Sequence, residues 1–308
     1  MTKQPIYREP GWYYRLNDYF REKFGQPVYK IPLDAGFSCP NRDGVVNKGG
    51  CTYCYNPSFS PASGKYKPLS LEEQIASGKK KNKSALYLAY FQAYTNTYAP
   101  IKKLRNLYDQ ALADPEVIGL SIATRPDCIS DQILDLLEEY NRRCYLLLEY
   151  GLQSVHNKTL VKINRGHTAE DFSRAVELTH HRGIAVCAHI ILGLPGESTR
   201  MFIDTIHFLN QIKVEGVKFH HLQVIKHTSL AKDYAAGKVK VYNQLADYIP
   251  PLCDCLEILA PSIVVHRLAS QATSTDLLIA PSWPESAGQI ASAVTTELIK
   301  RGTHQGCH

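Results

Sequence analysis

The sequence predicts an α/β protein: a partial TIM-like (β/α)6 barrel of parallel strands, preceded by a helix and followed by an α/β extension. Three observations carry this. Short apolar strand-like runs alternate with helical periodicity six times between residues 28 and 240, and every crossover is long enough to hold the helix that parallel pairing requires. Polar motifs fall just after each of the six strands. A barrel gathers such loops around one mouth at the C-terminal ends of its strands, whereas an open doubly wound sheet, which the periodicity alone also fits, divides them across a crevice. Finally, no Gly/Ser/Pro-rich linker, repeat or low-complexity stretch interrupts the chain. The expected organisation is a helical lead-in over 1–27, the barrel over 28–240, and an extension over 241–308 packed on the barrel.

Each element has its own signal. Trp12, Leu16, Tyr19, Phe20 and Phe24 are helically spaced, predicting an amphipathic helix over 11–24. A strand over 28–33 feeds directly into a glycine-rich, cysteine-bearing loop. Ser70 and Glu73 form a capping-box signature opening a helix, and 85–91 reads as a buried strand. A helix over 100–113, a strand over 117–123 and a helix over 130–142 capped by Ser130 follow. Next come a strand over 145–150, a helix over 168–182, a strand over 184–192, a helix over 198–212 and a sixth strand over 216–225. The extension contains a helical stretch (242–259), a β-rich piece (262–268), a loop through Pro281-Ser282-Trp283-Pro284, and a final helix (285–301).

Composition narrows the function classes. With 308 residues, 44% hydrophobic and 21% charged, the chain is an ordinary globular protein. It shows no signal-peptide-like start and no run approaching 18 apolar residues, so a cytoplasmic protein with no membrane partner is expected. Nine cysteines in a reducing compartment read as metal ligands or buried thiols rather than disulfides. The formal net charge of +6 favours a polyanionic partner without requiring one. The sharpest basic run is Lys79-Lys80-Lys81-Asn82-Lys83, with the pairs Lys102-Lys103 and Arg142-Arg143 behind it.

The chemistry is concentrated in the loop after the first strand. Cys39, Cys51 and Cys54 are spaced C-x11-C-x2-C, with no fourth cysteine or histidine nearby. A structural zinc site wants four closed ligands. Three thiolates fit a centre with one open position, such as an iron–sulfur cluster whose fourth iron takes a small ligand. A zinc knob or three incidental thiols is the alternative. Cys253 and Cys255 point about 200° apart on a helix and chelate poorly together, and Cys128, Cys144 and Cys187 read as buried thiols.

Further strings follow in order: 90–98 (Tyr-Phe-Gln-Ala-Tyr-Thr-Asn-Thr-Tyr), Thr124-Arg125-Pro126-Asp127, 149–154 (Glu-Tyr-Gly-Leu-Gln-Ser), Asn164-Arg165-Gly166-His167, Gly193-Leu194-Pro195-Gly196, 218–226, and His266-Arg267-Leu268. Together with the cysteine loop, this set resembles the radical S-adenosylmethionine (SAM) superfamily. The commonest spacing there is C-x3-C-x2-C. The longer first gap resembles the YhcC/YtqA-like (MnmL-type) subgroup, which is related to the Elongator catalytic subunit and to oxygen-independent coproporphyrinogen oxidases. The resemblance implies a [4Fe-4S] cluster on Cys39, Cys51 and Cys54, with SAM on the fourth iron, cleaved reductively to a 5′-deoxyadenosyl radical. It places Tyr53 near the adenine. It also places residues 92–97, Gln92 and Thr95 among them, where the superfamily has a Gly-Gly-Glu-like segment that contacts the SAM amino group; backbone carbonyls or the Tyr94, Thr95 and Asn96 side chains would substitute for it here. Glu149 and Gln153 would meet the ribose, Arg165 the SAM carboxylate, and the backbone at Gly193 the adenine. No residue is singled out as quenching the product radical. The implied reaction is on tRNA wobble uridine, from a 5-carboxymethylaminomethyl to a 5-aminomethyl side chain, with an electron donor such as flavodoxin or ferredoxin. The rivals are the same chemistry on a small molecule or protein side chain, and a non-catalytic iron–sulfur or zinc scaffold.

Overall fold

The computed structural model describes residues 11–60, 69–81, 86–270 and 275–308. Asn82 and Lys83 of the basic run, and Ala85 of the expected second strand, lie outside the described residues. Helix α1 (Leu16–Phe24) begins later than its periodicity implies, because the chain before it runs beside a strand of the extension: Arg15 bridges to Val265. The α1 C-terminus closes on Gly25 at φ 73°, whose N–H reaches the Arg21 carbonyl. Strand β1 (Val28–Leu33) leads through the cysteine loop, with the short helix α2 (Pro40–Asp43), to α3 (Leu71–Lys81). The expected capping box opens α3, the Glu73 N–H donating to Ser70 Oγ at 3.1 Å and the Ser70 N–H to Glu73 Oε2 at 2.7 Å. The alternation then continues as β2 (Leu86–Phe91), α4 (Ile101–Ala111), β3 (Val117–Thr124), α5 (Asp131–Asn141), β4 (Tyr145–Gln153), α6 (Asn157–Lys162), α7 (Ala169–His180), β5 (Ala185–Leu192), α8 (Thr199–Ile212) and β6 (Gly216–His221). Ser130 caps α5 and Thr168 caps α7, each accepting an N–H three residues on.

The expected sixth strand is broken in two. Beyond β6, the short β7 (Val224–Ile225) leaves the sheet, and after α9 (Ser229–Ala235), α10 (Leu245–Ile258) and β8 (Val264–Arg267) it pairs antiparallel with β9 (Leu278–Ala280), ahead of the last helix α11 (Ala287–Arg301). The β-rich piece of the extension enters the main sheet as β8, parallel to β6, so the sheet has seven strands in the order β1-β2-β3-β4-β5-β6-β8.

This sheet is a curled half-barrel. Seven flat strands would set the first and last about 29 Å apart at the usual inter-strand spacing. Yet Lys30 Nζ on β1 lies 3.4 Å from His266 Nδ1 on β8. Outward-facing residues such as Leu120, Ile122, Leu148, Val186, Ile190 and Phe219 are buried under the helices, and the inward faces carry the polar residues. Helix α3 delivers the chain to the N-terminal end of β2, so Lys79 lies at the barrel's far end from the cysteine loop. There it is paired with Asp114 and Glu116 on the turn entering β3.

Candidate active site

The cysteine loop is fastened from both sides. Cys39 precedes Pro40 at the first turn of α2; the Gly50 N–H reaches the Asn41 carbonyl at 2.8 Å and the Cys54 N–H that of Cys51 at 3.0 Å. The Thr52 N–H donates to the Ile163 carbonyl, and the Thr52 carbonyl accepts from Leu230 N–H. Asn41, fully buried, donates to the Asn164 carbonyl at 2.7 Å. The Asn164-Arg165-Gly166-His167 string thus braces the loop. Its Gly166 has φ +76°, and a Cβ there would stand 2.5 Å from Asn41 Oδ1.

All three thiols line one cleft at the C-terminal ends of the strands. Asn41 Nδ2 lies 3.4 Å and Arg165 Nη1 3.5 Å from Cys51 Sγ, and Asn56 Nδ2 lies 3.8 Å from Cys54 Sγ. These are donors aimed at sulfur, as thiolate ligands need. Among the described residues no three His, Cys, Asp or Glu side chains converge on a single metal ion. A cluster in which each cysteine takes a different iron has no such need for convergence. Burial and the neighbouring Cys51 push the Cys54 thiol up to about 12; a bound metal centre supplies the positive charge that deprotonates a coordinating thiol. Among the described residues, buried Arg165 also has an Nε with no hydrogen-bond partner, which is unusual for a buried donor. The donor set therefore fits the cluster with a ligand beside it.

Of the other residues expected at the site, Tyr53, Gln92, Thr95, Glu149, Gln153 and Arg165 line the same cleft. Gly193 does not. Its left-handed backbone, φ +91°, backs onto the Tyr242 ring and Leu222. Gln153 is a non-glycine residue at φ 75°, where the β4–β5 register slips between Gly151 and Gln153. Such conformations persist where the surroundings impose them, often beside ligands. Arg125 is tied to Asp127 through two bonds, at 2.8 and 2.7 Å, and donates to the Arg165 carbonyl, so it positions the Arg165 backbone. A Cβ at Gly151 would meet Arg165 Nη2 at 2.4 Å. Gly151→Ala should displace that guanidinium and weaken SAM binding at least about tenfold, roughly 1.4 kcal/mol, with the cluster absorbance retained. Unchanged affinity in equilibrium dialysis would remove Arg165 from the site.

Below the cleft, the barrel lumen holds a network that the sequence reading only partly anticipated. Glu149 Oε1 accepts from Lys30 and Ser121, both at 2.6 Å; Oε2 accepts from His189 at 2.7 Å and from Lys218. Four donors fill the carboxylate's lone-pair sites. Glu149 therefore has no free site for a ribose hydroxyl and serves instead as the counter-ion of the lumen. Burial opposes its ionisation, but Lys218, Lys30 and His189 overcome this and hold it well below the usual carboxylate range. Burial, countered by Glu149, brings Lys218 down to about 8; burial and Lys218 bring His189 down to about 4, so it is neutral. Lys30 and Ser121 were missed. The available signal was a lysine at an inward position of an otherwise apolar strand. Cys253 and Cys255 are buried in the core of the extension, Cys253 Sγ 3.9 Å from the Val294 carbonyl, remote from the cleft.

Comparison with known proteins identifies the family. Residues 44–209 match the Radical SAM superfamily model, and residues 214–300 match a Radical SAM C-terminal domain. The protein YtqA of Bacillus subtilis is 41% identical over 298 residues, covering 96% of this chain and 92% of YtqA. YhcC of Escherichia coli is 41% identical over 266 residues, covering 86% and 85%. A more partial relative is the tRNA uridine(34) acetyltransferase of Methanocaldococcus jannaschii, 31% identical over 136 residues, 43% of this chain and 24% of that one. The solved archaeal Elp3 of Methanocaldococcus infernus superposes with a TM-score of 0.67 at 18% identity, over 90% of this chain and 64% of its own, and shows the shared fold. Among the described residues no helix is long and apolar enough to cross a membrane. The chain belongs to the radical SAM superfamily, within its YhcC/YtqA-like group, and is an enzyme whose cofactors are a [4Fe-4S] cluster and SAM.

Proposed function

We propose that this enzyme modifies tRNA, converting the 5-carboxymethylaminomethyl group of wobble uridine to 5-aminomethyl by radical attack on the side chain. In this reading Cys39, Cys51 and Cys54 hold the cluster, and Tyr53, Gln92, Thr95, Gln153 and Arg165 hold SAM. An electron carrier such as flavodoxin or ferredoxin serves as reductant. When bound, the cluster and SAM supply a 5′-deoxyadenosyl radical; the chain's own residues orient the reactants and keep water out.

One structural observation carries the RNA assignment. Lys226, Lys232, Lys238 and Lys240 are exposed and make no ion pair among the described residues. They lie on the stretch after β6 that packs on the cysteine loop, where the His227 ring sits 5.3 Å from that of Tyr55 and the Leu230 N–H reaches Thr52. Phosphate contacts by such lysines provide most nonspecific RNA affinity. The described part of the basic run, 79–81, lies at the far end of the barrel, with Lys79 paired to Asp114 and Glu116. The partial relative named for uridine 34 of tRNA points to the same substrate class.

Mass spectrometry of tRNA nucleosides from a strain lacking the gene should show 5-carboxymethylaminomethyluridine accumulating at the expense of the aminomethyl form. Unchanged nucleosides would move the substrate to a small molecule or a protein side chain. On the purified protein, Lys232→Ala with Lys238→Ala should weaken tRNA binding and flatten the log K against log salt slope by about 1 per lysine. Lys80→Ala with Lys81→Ala should leave that slope as it is; equal effects of the two pairs would place the RNA elsewhere.

A further inference from the structure

We propose that Arg267, backed by Lys30 and Lys218, forms a subsite for a carboxylate carried by the substrate at the lumen end of the cleft. The inference deepens the reading above and rests on it only for the source of that carboxylate.

The first support is a charge imbalance. Three cations, Lys30, Lys218 and Arg267, face one carboxylate, Glu149, whose lone pairs are already taken by Lys30, Ser121, His189 and Lys218. Burial, with Lys30 and Lys218 adding to it for His266 and His189 respectively, keeps these histidines neutral, and they add no compensating charge. Among the described residues two positive charges are left in excess around Lys218 and Glu149, which are nearly shut off from water, where uncompensated charge is costly. The Arg267 side chain makes no ion pair or hydrogen bond among the described residues, yet it lines the cleft.

The second support is the backbone that aims it. On the β6–β8 ladder Val217 pairs with Val265, but Lys218 pairs with Arg267, so His266 is an extra residue in a bulge. Without the bulge, alternation would send Arg267 to the outer face; with it, Arg267 stands beside Lys218 on the lumen side. Bulges re-aim side chains in this way next to active sites. The space for His266 is left by Gly216, where a Cβ would lie 2.6 Å from His266 Nε2.

Depth selects the ligand. Arg267 is half-buried, but Lys218 and Glu149 beside it are 4% and 1% exposed, so a backbone phosphate flanked by sugars does not reach the lysine. A carboxylate at the tip of a flexible arm does, and a guanidinium fork suits its two oxygens. The 5-carboxymethylaminomethyl group ends in such a carboxylate.

The test uses full-length, cluster-reconstituted protein under anaerobic conditions, titrated calorimetrically with N-benzylglycine, its methyl ester, and SAM. The wild type should bind N-benzylglycine at least about tenfold tighter than the ester, a difference of about 1.4 kcal/mol. Arg267→Met should abolish that preference, and Arg267→Lys should retain part of it. Arg267→Gln replaces the methionine variant if the latter does not fold. Equal binding of acid and ester by the wild type would overturn the inference, as would a preference that survives in Arg267→Met or Arg267→Gln. Loss of SAM affinity in those variants would assign the guanidinium to the SAM carboxylate instead and overturn it too. No RNA takes part, so unaltered tRNA nucleosides in the deletion strain would sink the tRNA reading while leaving this result to stand.

Discussion

Cys51→Ala is expected to yield a folded protein with no stable cluster and no detectable 5′-deoxyadenosine production. Cys51 is the most enclosed of the three thiols, 7% exposed, and the only one approached by both Asn41 and Arg165. In the proposed site its loss removes a cluster ligand and strands the two donors that approach its sulfur. The backbone around it is fixed independently, by Asn41 on Asn164 and by Thr52 on Ile163 and Leu230, so the loop should survive. Iron and sulfide content, electron paramagnetic resonance and product chromatography read the outcome. Cys253→Ala is the contrast: it trims a buried thiol remote from the cleft and should leave the cluster content alone. A Cys51→Ala enzyme that retained its cluster and turned over SAM would disprove the assignment of the loop.

Glu149→Leu is expected to have the largest effect on stability. Among the described residues the carboxylate is the only counter-ion of Lys30 and Lys218, whose side chains are only slightly exposed. Breaking a buried pair while leaving its cations in place costs about 3–5 kcal/mol, against a total stability of about 5–15 kcal/mol for a typical domain. The pH dependence has a definite sign. Burial lowers the folded Lys218 pKa from 10.5 to about 8 even with Glu149 raising it, so without the carboxylate it falls further. The unfolded chain then binds more protons than the folded one, and stability rises with pH. Chemical denaturation at pH 6 and pH 8 should therefore show the variant gaining more than the wild type on going to the higher pH. Glu149 itself, with its folded pKa depressed, contributes stability above the unfolded carboxylate range, lost only as pH falls through its lower folded value. A variant as stable as the wild type, with the same pH slope, would mean that the lumen charges are compensated by other groups.

Much of the architecture was legible from local chemistry. The caps at Ser70 and Ser130 form because each hydroxyl reaches an N–H only three residues away. Buried parallel strands announced themselves as apolar runs, and the cysteine spacing marked the loop. Helix α1 started late because residues ahead of it pair with a strand some 250 positions on, a partner no local window contains. The sixth strand split where β7 found β9, and β8 entered the sheet because curling left the edge of β6 open to it.

By itself, then, the sequence determined the α/β alternation, the three thiols on one loop and the family to which those spacings belong, since all of these are written in neighbouring residues. The tertiary structure alone decided what the inward side chains meet. Lys30, Glu149, Lys218 and His266 are spread across as many as 236 positions and touch only because seven twisted strands curl into a half-barrel. That closure made Glu149 a counter-ion rather than a ribose acceptor. A single extra residue at His266 turned Arg267 inward, and the direction of a side chain on a strand follows from register, which the sequence of one strand does not contain.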